Sequence, residues 1–208
     1  MAPRSKEVAS FADAVRDIAD GSTVAIGGFS GVGTPFNLIK ALLGQGAKRL
    51  TIVVNSTGSG AGGAGRMPDV GMLVENGQVA KVICAFTAAT RASDTLPFTK
   101  FYEAGEVAAE LVPQGTMVER LRAAGSGIPA FYTPAAVGTE LAEGRETRDF
   151  AGRTYLLEHA LPVDYTFLRA HRADTMGNLR FRRAQRNFNP VMAMAARVSI
   201  AEVEEDVV

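Results

Sequence analysis

The chain has 208 residues, of which 47% are hydrophobic and 22 are glycine, and this size and composition predict a single domain spanning residues 1–208 with a full hydrophobic core. The 22 Lys and Arg residues balance the 22 Asp and Glu residues, so the formal net charge of zero gives no indication of binding to nucleic acid or to an anionic membrane surface. No apolar run approaches the roughly 20 residues that span a bilayer. With one cysteine, Cys84, the sequence has no disulfide framework, and it predicts a cytoplasmic protein that binds small molecules or other proteins.

The first 125 residues alternate apolar segments rich in Val, Ile and Phe with segments of helical periodicity. The predicted elements are an amphipathic helix at 8–19, strands at 23–26, 50–54, 79–86 and 107–112, helices at 35–43, 96–104 and 116–124, and a short helix ending near Glu75. Alternation of this kind predicts an α/β fold, with a mainly parallel sheet and helices on both faces. Thr34 is the predicted N-cap of the second helix, and Thr116 forms a predicted capping box with Glu119.

Beyond Gly125 the pattern changes to shorter strand-like segments. They lie at 130–132, 153–157, 165–170, 179–182 and 199–203, with one helix predicted at 190–196. The C-terminal half is therefore predicted to be an α+β elaboration of the same domain. The chain stops at Val207-Val208 without a closing helix, which favours a sequence that is cut short at this end.

A glycine-rich loop follows the first strand and precedes a helix. Its members are Gly27, Gly28, Phe29, Gly31 and Gly33, with Pro35 at the predicted helix start. Such a loop brings backbone N–H groups and the positive end of a helix to the carboxyl edge of a parallel sheet, where α/β proteins bind anions and acyl oxygens. By spacing alone, a tight connection whose glycines prevent steric clashes is an equally good interpretation.

A second glycine cluster, at 58–65, contains the G-x-G-x-x-G spacing of dinucleotide-binding proteins. Its glycines begin four residues past the strand, and Met67-Pro68 interrupts any helix that would open from them, so the pattern does not favour NAD binding. The more informative residue is Asn55 at the end of the second strand. Its amide is expected to point into the cleft that the first loop lines.

Other chemistry is not favoured by the sequence. Neither His159 nor His171 has a partner at metal-ligand spacing, so no metal site is predicted, and there is no G-x-S-x-G nucleophile. Cys84 lies in an apolar run and is predicted to be a buried structural thiol. Six arginines between 169 and 186 predict a solvated or subunit-facing surface.

The glycine loop, Asn55 and several later segments occur in the order found in one enzyme family. The loop has the Gly-Gly-Phe and Gly-x-Pro elements, and the run 112–125 contains Pro-Gln-Gly-Thr-Met-Val-Glu-Arg. The segments 129–134, 173–178 and 186–189 match as well. Together they resemble the family I coenzyme A transferases, in particular the α subunit (the A chain of the pair) of the 3-oxoacid type, over about residues 20–205.

The resemblance implies a CoA-transferase-like fold and a ping-pong transfer of CoA from an acyl-CoA such as succinyl-CoA to a 3-oxoacid or another short carboxylate. It implies no metal and no permanently bound cofactor, with the CoA thioester as substrate. The nucleophilic glutamate lies on the β subunit, usually in an α2β2 assembly, so this chain is expected to be inactive alone. Val74-Glu75-Asn76-Gly77 resembles half of the nucleophile motif, but Glu75 is predicted to be a surface helix end.

The resemblance also assigns roles to residues of this chain. The catalytic roles carried over are oxyanion contacts from Asn55 and Gln114, which line the substrate pocket in the family. Only these two residues are carried over by role. Beside them, the backbone N–H groups of the glycine loop predict a substrate-binding wall formed by Gly27, Gly28, Phe29, Gly31 and Gly33.

Three departures leave the acyl preference open. Ser30 replaces a usual glycine, Ser56 replaces an asparagine, and the segment 87–99 differs from acetoacetate-type members, so a 3-oxoadipate-type enzyme remains an alternative. Two other functions also remain open at this point. One is a CoA-ester hydrolase on the same scaffold, and the other is a non-catalytic module that binds sugar phosphates or nucleotides.

Overall fold

The computed structural model describes residues 5–58, 67–88 and 95–205. In chain order, its helices and strands are α1 (Phe11–Val15), β1 (Thr23–Ile26), α2 (Phe36–Gln45), β2 (Leu50–Ser56), α3 (Val70–Glu75), β3 (Val79–Phe86), α4 (Pro97–Glu103), β4 (Ala108–Leu111), α5 (Gln114–Gly125), β5 (Ala130–Thr133), β6 (Thr147–Phe150), β7 (Arg153–His159), β8 (Val163–Ala170), β9 (Arg172–Ala173), β10 (Leu179–Arg180), α6 (Asn189–Ala195) and β11 (Ala196–Val203). Two short 3₁₀ turns, Glu140–Ala142 and Arg183–Arg186, complete the described elements.

Six strands form a central sheet in the order β11-β8-β1-β2-β3-β4, and every neighbouring pair is parallel. The predicted α/β alternation is confirmed, and β1 and β3 have the predicted bounds. Two strands of the C-terminal half, β8 and β11, return to this sheet on the far side of β1. The elaboration of that half is a three-stranded antiparallel sheet, β5-β7-β6, and a two-stranded hairpin, β9-β10.

Both faces of the central sheet are covered. Val24 and Ile26 of β1 lie in one apolar cluster with side chains of α2 and α3, whereas Ala25 lies in a second cluster with Met117 of α5 and Met192 of α6. A strand that is buried on both faces reads as a continuous apolar run, which explains why the central strands were predictable from the sequence. Cys84 belongs to the first cluster and is fully buried, as predicted.

Three predictions at helix starts are wrong. The N-cap position of α2 is Pro35 rather than Thr34, and it makes no side-chain capping hydrogen bond. Helix α5 begins at Gln114, directly after Pro113, so Thr116 lies within the first turn and forms no capping box with Glu119. Proline fixes its own φ and lets a helix begin at the next residue, which moves the start upstream of Thr116. The N-terminal helix is shorter than predicted and comprises only Phe11–Val15, with Ser10 as its cap.

Candidate active site at the carboxyl edge of the sheet

A cavity of about 530 Å³ opens where the central strands β1, β2 and β3 end. This is the edge at which parallel α/β sheets bind their ligands, because loops and helix N-termini meet there. The sequence-predicted site residues that line it are Gly27, Gly28, Phe29, Gly31, Asn55 and Gln114. Gly33, the remaining predicted residue, does not line the cavity and lies behind this wall.

Asn55 and Gln114 meet in the cavity wall. Gln114 Nε2 donates a hydrogen bond of 2.7 Å to Asn55 Oδ1, although 59 residues separate them in sequence. Asn55 is only 5% exposed near the end of β2, whereas Gln114 is exposed as the first residue of α5. The bond fixes the orientation of the Asn55 amide, so its NH₂ group is the part that Asn55 offers to a ligand.

The loop after β1 folds into a tight hairpin at the mouth of the cavity. Phe29 and Val32 exchange two backbone hydrogen bonds of 2.9 Å, and the two central residues have positive φ, 48° at Ser30 and 86° at Gly31. Two positive values are typical of a type I′ turn, in which glycine is favoured at both positions. Ser30 therefore occupies a left-handed position, which explains why a glycine is usual there in the family that the sequence resembles.

The hairpin leaves backbone donors at the cavity. Phe29 N and Val32 N are used inside the turn, and Gly27 N donates to Phe167 O at 2.9 Å. The N–H groups of Gly28, Ser30 and Gly31 have no hydrogen-bond acceptor among the described residues, and all three residues line the cavity. These groups and the two side-chain amides are among the donors that the cavity presents.

Asn189, which sequence reasoning did not assign to the site, clamps both ends of this loop. It is fully buried, its Oδ1 accepts from Arg169 N at 3.0 Å, and its Nδ2 donates to Gly33 O at 3.1 Å and to Gln185 O at 2.8 Å. A Cβ on Gly27 would lie 2.1 Å from Asn189 Oδ1, and one on Gly33 would lie 2.9 Å from Nδ2. Packing against Asn189 therefore requires glycine at positions 27 and 33. The only sequence feature that pointed to Asn189 was the match of residues 186–189 to the family pattern.

The N-terminus of α2 is already occupied by a carboxylate of the chain. Glu202 Oε2 accepts from Asn37 N at 2.9 Å and from Leu38 N at 3.1 Å, and Glu202 is 5% exposed. Burial raises the pKa of this carboxyl group above its ordinary value, although the two N–H groups and Arg169 counteract part of the effect. The prediction that this helix end faces a ligand is therefore wrong, because Glu202 takes the anion position.

Helix α5 brings its N-terminus to the cavity instead. Its first residue, Gln114, lines the cavity, and its first internal hydrogen bond runs from Met117 N to Pro113 O. Among the described residues, the N–H groups of Gln114, Gly115 and Thr116 have no hydrogen-bond acceptor, and they lie at the positive end of a 12-residue helix.

Among the other residues singled out in the sequence, Ser30, Ser56 and Gly58 line the cavity, whereas Glu75, Cys84 and His171 do not. Glu75 is the exposed last residue of α3, as predicted. Burial raises the pKa of the Cys84 thiol to about 11. Both nitrogens of His171 contact carboxylates, at 3.2 Å from Glu204 and 3.3 Å from Glu205. All of the glycine cluster at 58–65 except Gly58 falls outside the described residues, as does the middle of the segment 87–99.

Three arginines of the C-terminal segment, Arg169, Arg172 and Arg182, pair with carboxylates of the chain. Arg169 contacts Glu202 at 3.8 Å and Glu204 at 3.3 Å, and its guanidinium lies 5.7 Å from the ring centre of Phe36, a cavity residue. Arg172 pairs with Glu205. Within the described parts of the chain, no group of three His, Cys, Asp or Glu side chains is arranged to hold a metal ion, and no helix is long and apolar enough to cross a membrane.

Comparison with known proteins relates this geometry to a family. Residues 8–207 match the family model described as coenzyme A transferase. The A chain of the 3-oxoadipate CoA-transferase of Pseudomonas putida is 46% identical over 201 residues, which cover 97% of this chain and 83% of that protein. The A chain of a probable succinyl-CoA:3-ketoacid coenzyme A transferase of Bacillus subtilis (strain 168) is 44% identical over 200 residues, which cover 96% of this chain and 79% of that protein.

The fold agrees with the sequence matches. The crystal structure of glutaconate coenzyme A-transferase from Acidaminococcus fermentans superposes with a TM-score of 0.77 at 23% identity, over 94% of this chain and 66% of that one. At this identity the structural likeness establishes the fold alone, whereas the family model and the two relatives establish the family. The resemblance stated from the sequence is confirmed. The chain therefore belongs to the coenzyme A transferase family, among the α subunits of the 3-oxoacid type.

Proposed function

We propose that this α subunit supplies the oxyanion-stabilising wall of a two-chain active site and that a glutamate of the β subunit supplies the nucleophile. The proposed reaction is a ping-pong transfer of CoA from a donor such as succinyl-CoA to a 3-oxoacid. Asn55 and Gln114 are the proposed catalytic contacts. The single observation that carries the proposal is their hydrogen bond in the wall of the cavity, beside the loop 27–31.

Amide donors suit this reaction because its reactants are themselves carboxylates. A fixed Lys or Arg would bind the ground-state carboxylates about as well as the transition state, and uniform binding does not raise the rate of the chemical step. Neutral dipoles aimed at the position where the oxyanion develops stabilise the transition state selectively. Among the described residues that line the cavity there is no Lys or Arg, and Asp69 is the one carboxylate.

The composition of the cavity also supports a nucleophile from another chain. None of its described lining residues is a glutamate. The two internal segments outside the described residues, 59–66 and 89–94, contain no glutamate either. A glutamyl nucleophile at this cavity would therefore come from a partner, as the resemblance implies for the β subunit. The proposed assembly is an α2β2 heterotetramer.

The acyl substrates are proposed by chemical class. One relative is named for 3-oxoadipate and another, nearly as similar, for succinyl-CoA and a 3-ketoacid. Both names share a 3-oxo carboxylic acid as acceptor, so this class is proposed here. We also propose that the enzyme works in the cytoplasm without a permanently bound cofactor, with CoA thioesters as substrates.

The test is steady-state turnover of the complex with the β subunit. Removal of one oxyanion donor typically lowers kcat by about 100- to 1000-fold, and that loss is expected for Asn55→Ala and Gln114→Ala. Asn37→Ala is the matched control, because Asn37 is an exposed amide residue one position beyond the cavity residue Phe36. Its turnover is expected to equal that of the wild type. Unchanged turnover in both cavity variants would contradict the proposed role.

Mass spectrometry tests which of the two chains carries the nucleophile. After incubation with succinyl-CoA, a covalent CoA adduct is expected on the β subunit, not on this chain. An adduct on this chain, for example at Glu75, would overturn the proposal. Loss of acyl-CoA at the same rate with and without a carboxylate acceptor would show a hydrolase instead.

A further inference from the structure

The antiparallel sheet β5-β7-β6 packs on the body of the protein through part of one face, and its other face is partly open to solvent. Leu156 and Glu158 of β7 are 0% and 1% exposed and point to the body of the protein. Side chains alternate between the faces of a strand, and the strand register places six others together on the opposite side. This outer aromatic face consists of Tyr132, Arg148, Phe150, Arg153, Tyr155 and Leu157.

The rings on this face form a continuous cluster. The ring centre of Phe150 lies 5.2 Å from that of Tyr132 and 5.4 Å from that of Tyr155, in edge-to-face geometry. Arg148 lies over Tyr132 at 5.5 Å, and Arg153 lies over Tyr155 at 5.7 Å. Phe150 is 43% exposed at the centre of the cluster. Aromatic and arginine side chains held together in this way are the residue types that dominate protein interfaces.

Charge argues against a second copy of the chain as the partner. Pairing about a two-fold axis brings the same patch of each copy together, so the Arg148 and Arg153 side chains of both copies would lie in one contact area. Like charges in such contact are unfavourable. Glu146, the acidic group beside the rings, is already bonded to the Tyr132 hydroxyl. The face therefore fits a different chain that presents carboxylates around an apolar centre.

The position of the outer aromatic face relative to the cavity bears on which chain binds it. Arg120 of α5 joins the small sheet to the central one, since its Nε donates to His159 O at 2.9 Å and its Nη1 contacts Glu110 of β4 at 2.7 Å. Arg120 lies six residues after Gln114, or about 9 Å along the helix axis. His159 and Arg153 are the two ends of β7, six residues or about 20 Å apart, so a partner at the cavity must extend over roughly 30 Å to cover the outer aromatic face as well.

The area of the outer aromatic face limits the part of an interface that it can form. Three strands spaced by about 4.8 Å and up to seven residues long cover roughly 300 Å². A stable interface buries about 800 Å² on each partner. The outer aromatic face can therefore form the apolar centre of an interface whose remaining area lies around it.

We propose that the outer aromatic face is a docking surface for the β subunit, with Phe150 as its central anchor and Arg148 and Arg153 as the groups that select an acidic counterpart. This inference rests on the proposed function only in taking the partner to be the β subunit. It assigns the contact surface, which is separate from the residues that line the cavity.

The test measures the affinity of purified chains for the β subunit. Phe150→Ser and the double variant Arg148→Glu/Arg153→Glu are each expected to raise Kd by about tenfold or more. Phe11→Ser is the matched control for Phe150, because Phe11 is 45% exposed on α1. Arg16→Glu/Arg49→Glu is the charge control, since both arginines are exposed. Hydrogen exchange on the wild type supplies a second measurement, with slower exchange expected at 147–159 when the β subunit is added.

The outcomes separate the two proposals. Weakened binding in the face variants alone, with protection of 147–159, supports the docking surface. Wild-type affinity in those variants, or no protection of 147–159, overturns it and leaves the proposed function intact. Conversion of a homodimer to a monomer by the same variants, with binding of the β subunit unchanged, also overturns it. A wild-type chain that neither binds the β subunit nor gives turnover with it defeats the proposed function and the docking surface together.

Discussion

Replacement of Gly27 by alanine tests the role of Asn189 as the clamp of the cavity loop. The backbone at Gly27 is outside the left-handed region, so alanine is allowed there and the penalty comes from contact alone. The added Cβ would lie 2.1 Å from Asn189 Oδ1 and 2.8 Å from its Cγ, which forces the buried amide to move. The amide's hydrogen bonds with Arg169 N, Gly33 O and Gln185 O are then lost.

The magnitude follows from those three bonds. A buried polar group left without a partner costs about 1–3 kcal/mol, and the costs of neighbouring groups are not additive. We therefore expect Gly27→Ala to lower the free energy of unfolding by about 3 kcal/mol. For a chain of this length the melting temperature falls by roughly 2–4 °C per kcal/mol, or about 6–12 °C in total.

Thermal unfolding followed by circular dichroism measures this effect. Gly44→Ala is the matched control, because Gly44 lies exposed in α2 and a methyl group added there would have no atom within 4 Å. Alanine in a helix is favoured over glycine by about 0.5–1 kcal/mol, so this control is expected to melt slightly higher than the wild type. A lower melting temperature for Gly27→Ala and a higher one for Gly44→Ala would show that the contact with Asn189, and not the loss of a glycine, causes the destabilisation.

A double-mutant cycle gives the refuting result. In an Asn189→Ala background the obstacle to the new methyl group is gone, so Gly27→Ala is expected to cost less than about 1 kcal/mol there. If it still costs about 3 kcal/mol without the Asn189 side chain, the clash is not the cause, and the reasoning from this contact fails.

Two further predictions concern titratable groups. Because burial raises the pKa of the Cys84 thiol to about 11, the folded chain is expected to react with Ellman's reagent far more slowly than the unfolded chain, and comparable rates would contradict its burial. Burial alone raises the pKa of the Glu110 carboxyl group, but hydrogen bonds from Lys81 and Arg120 hold it below 4.5 overall, so its stabilising effect is present above pH 4.5 and is lost as the pH falls through the lower folded-state pKa. Glu110→Gln is therefore expected to lower stability at pH 7 by up to about 1 kcal/mol and to flatten the decrease in stability as the pH falls below 4.5, and an unchanged profile in urea titrations would contradict this.

The sequence predicted those parts of the fold that depend on local pattern. The continuous apolar runs of β1 and β3 gave the observed bounds, because both faces of the central sheet are covered. The exposed strand β6, with the sequence Thr-Arg-Asp-Phe, was not predicted, since none of its residues is buried and it has no clear apolar face. The position of Asn55 followed from the end of β2, and the assignment of Gln114 to the same pocket rested on the family resemblance. The hydrogen bond between the two side chains was not predicted.

Contacts between distant segments account for the remaining differences. Glu202 caps α2 from 165 residues away, so the sequence around Thr34 carried no sign that a carboxylate would take the helix end. Asn189 likewise meets Gly33 across 156 residues, and spacing within the loop could not show that packing against it requires two of the glycines. The glycine pattern was therefore visible in the sequence, whereas the physical reason for each glycine was not.

The distance between the loop and its clamp has a consequence for the order of events during synthesis. The ribosome makes Gly33 156 residues before Asn189. Strand β8, which pairs with β1, and strand β11, which pairs with β8, also come from the last quarter of the chain. A nascent chain that has emerged only as far as α5 therefore contains the loop sequence, but it lacks β8, which pairs with β1, and Asn189, which holds the loop. The cavity wall reaches its final shape only when the C-terminal segment arrives, so a partner that recognises this wall binds finished chains and not growing ones.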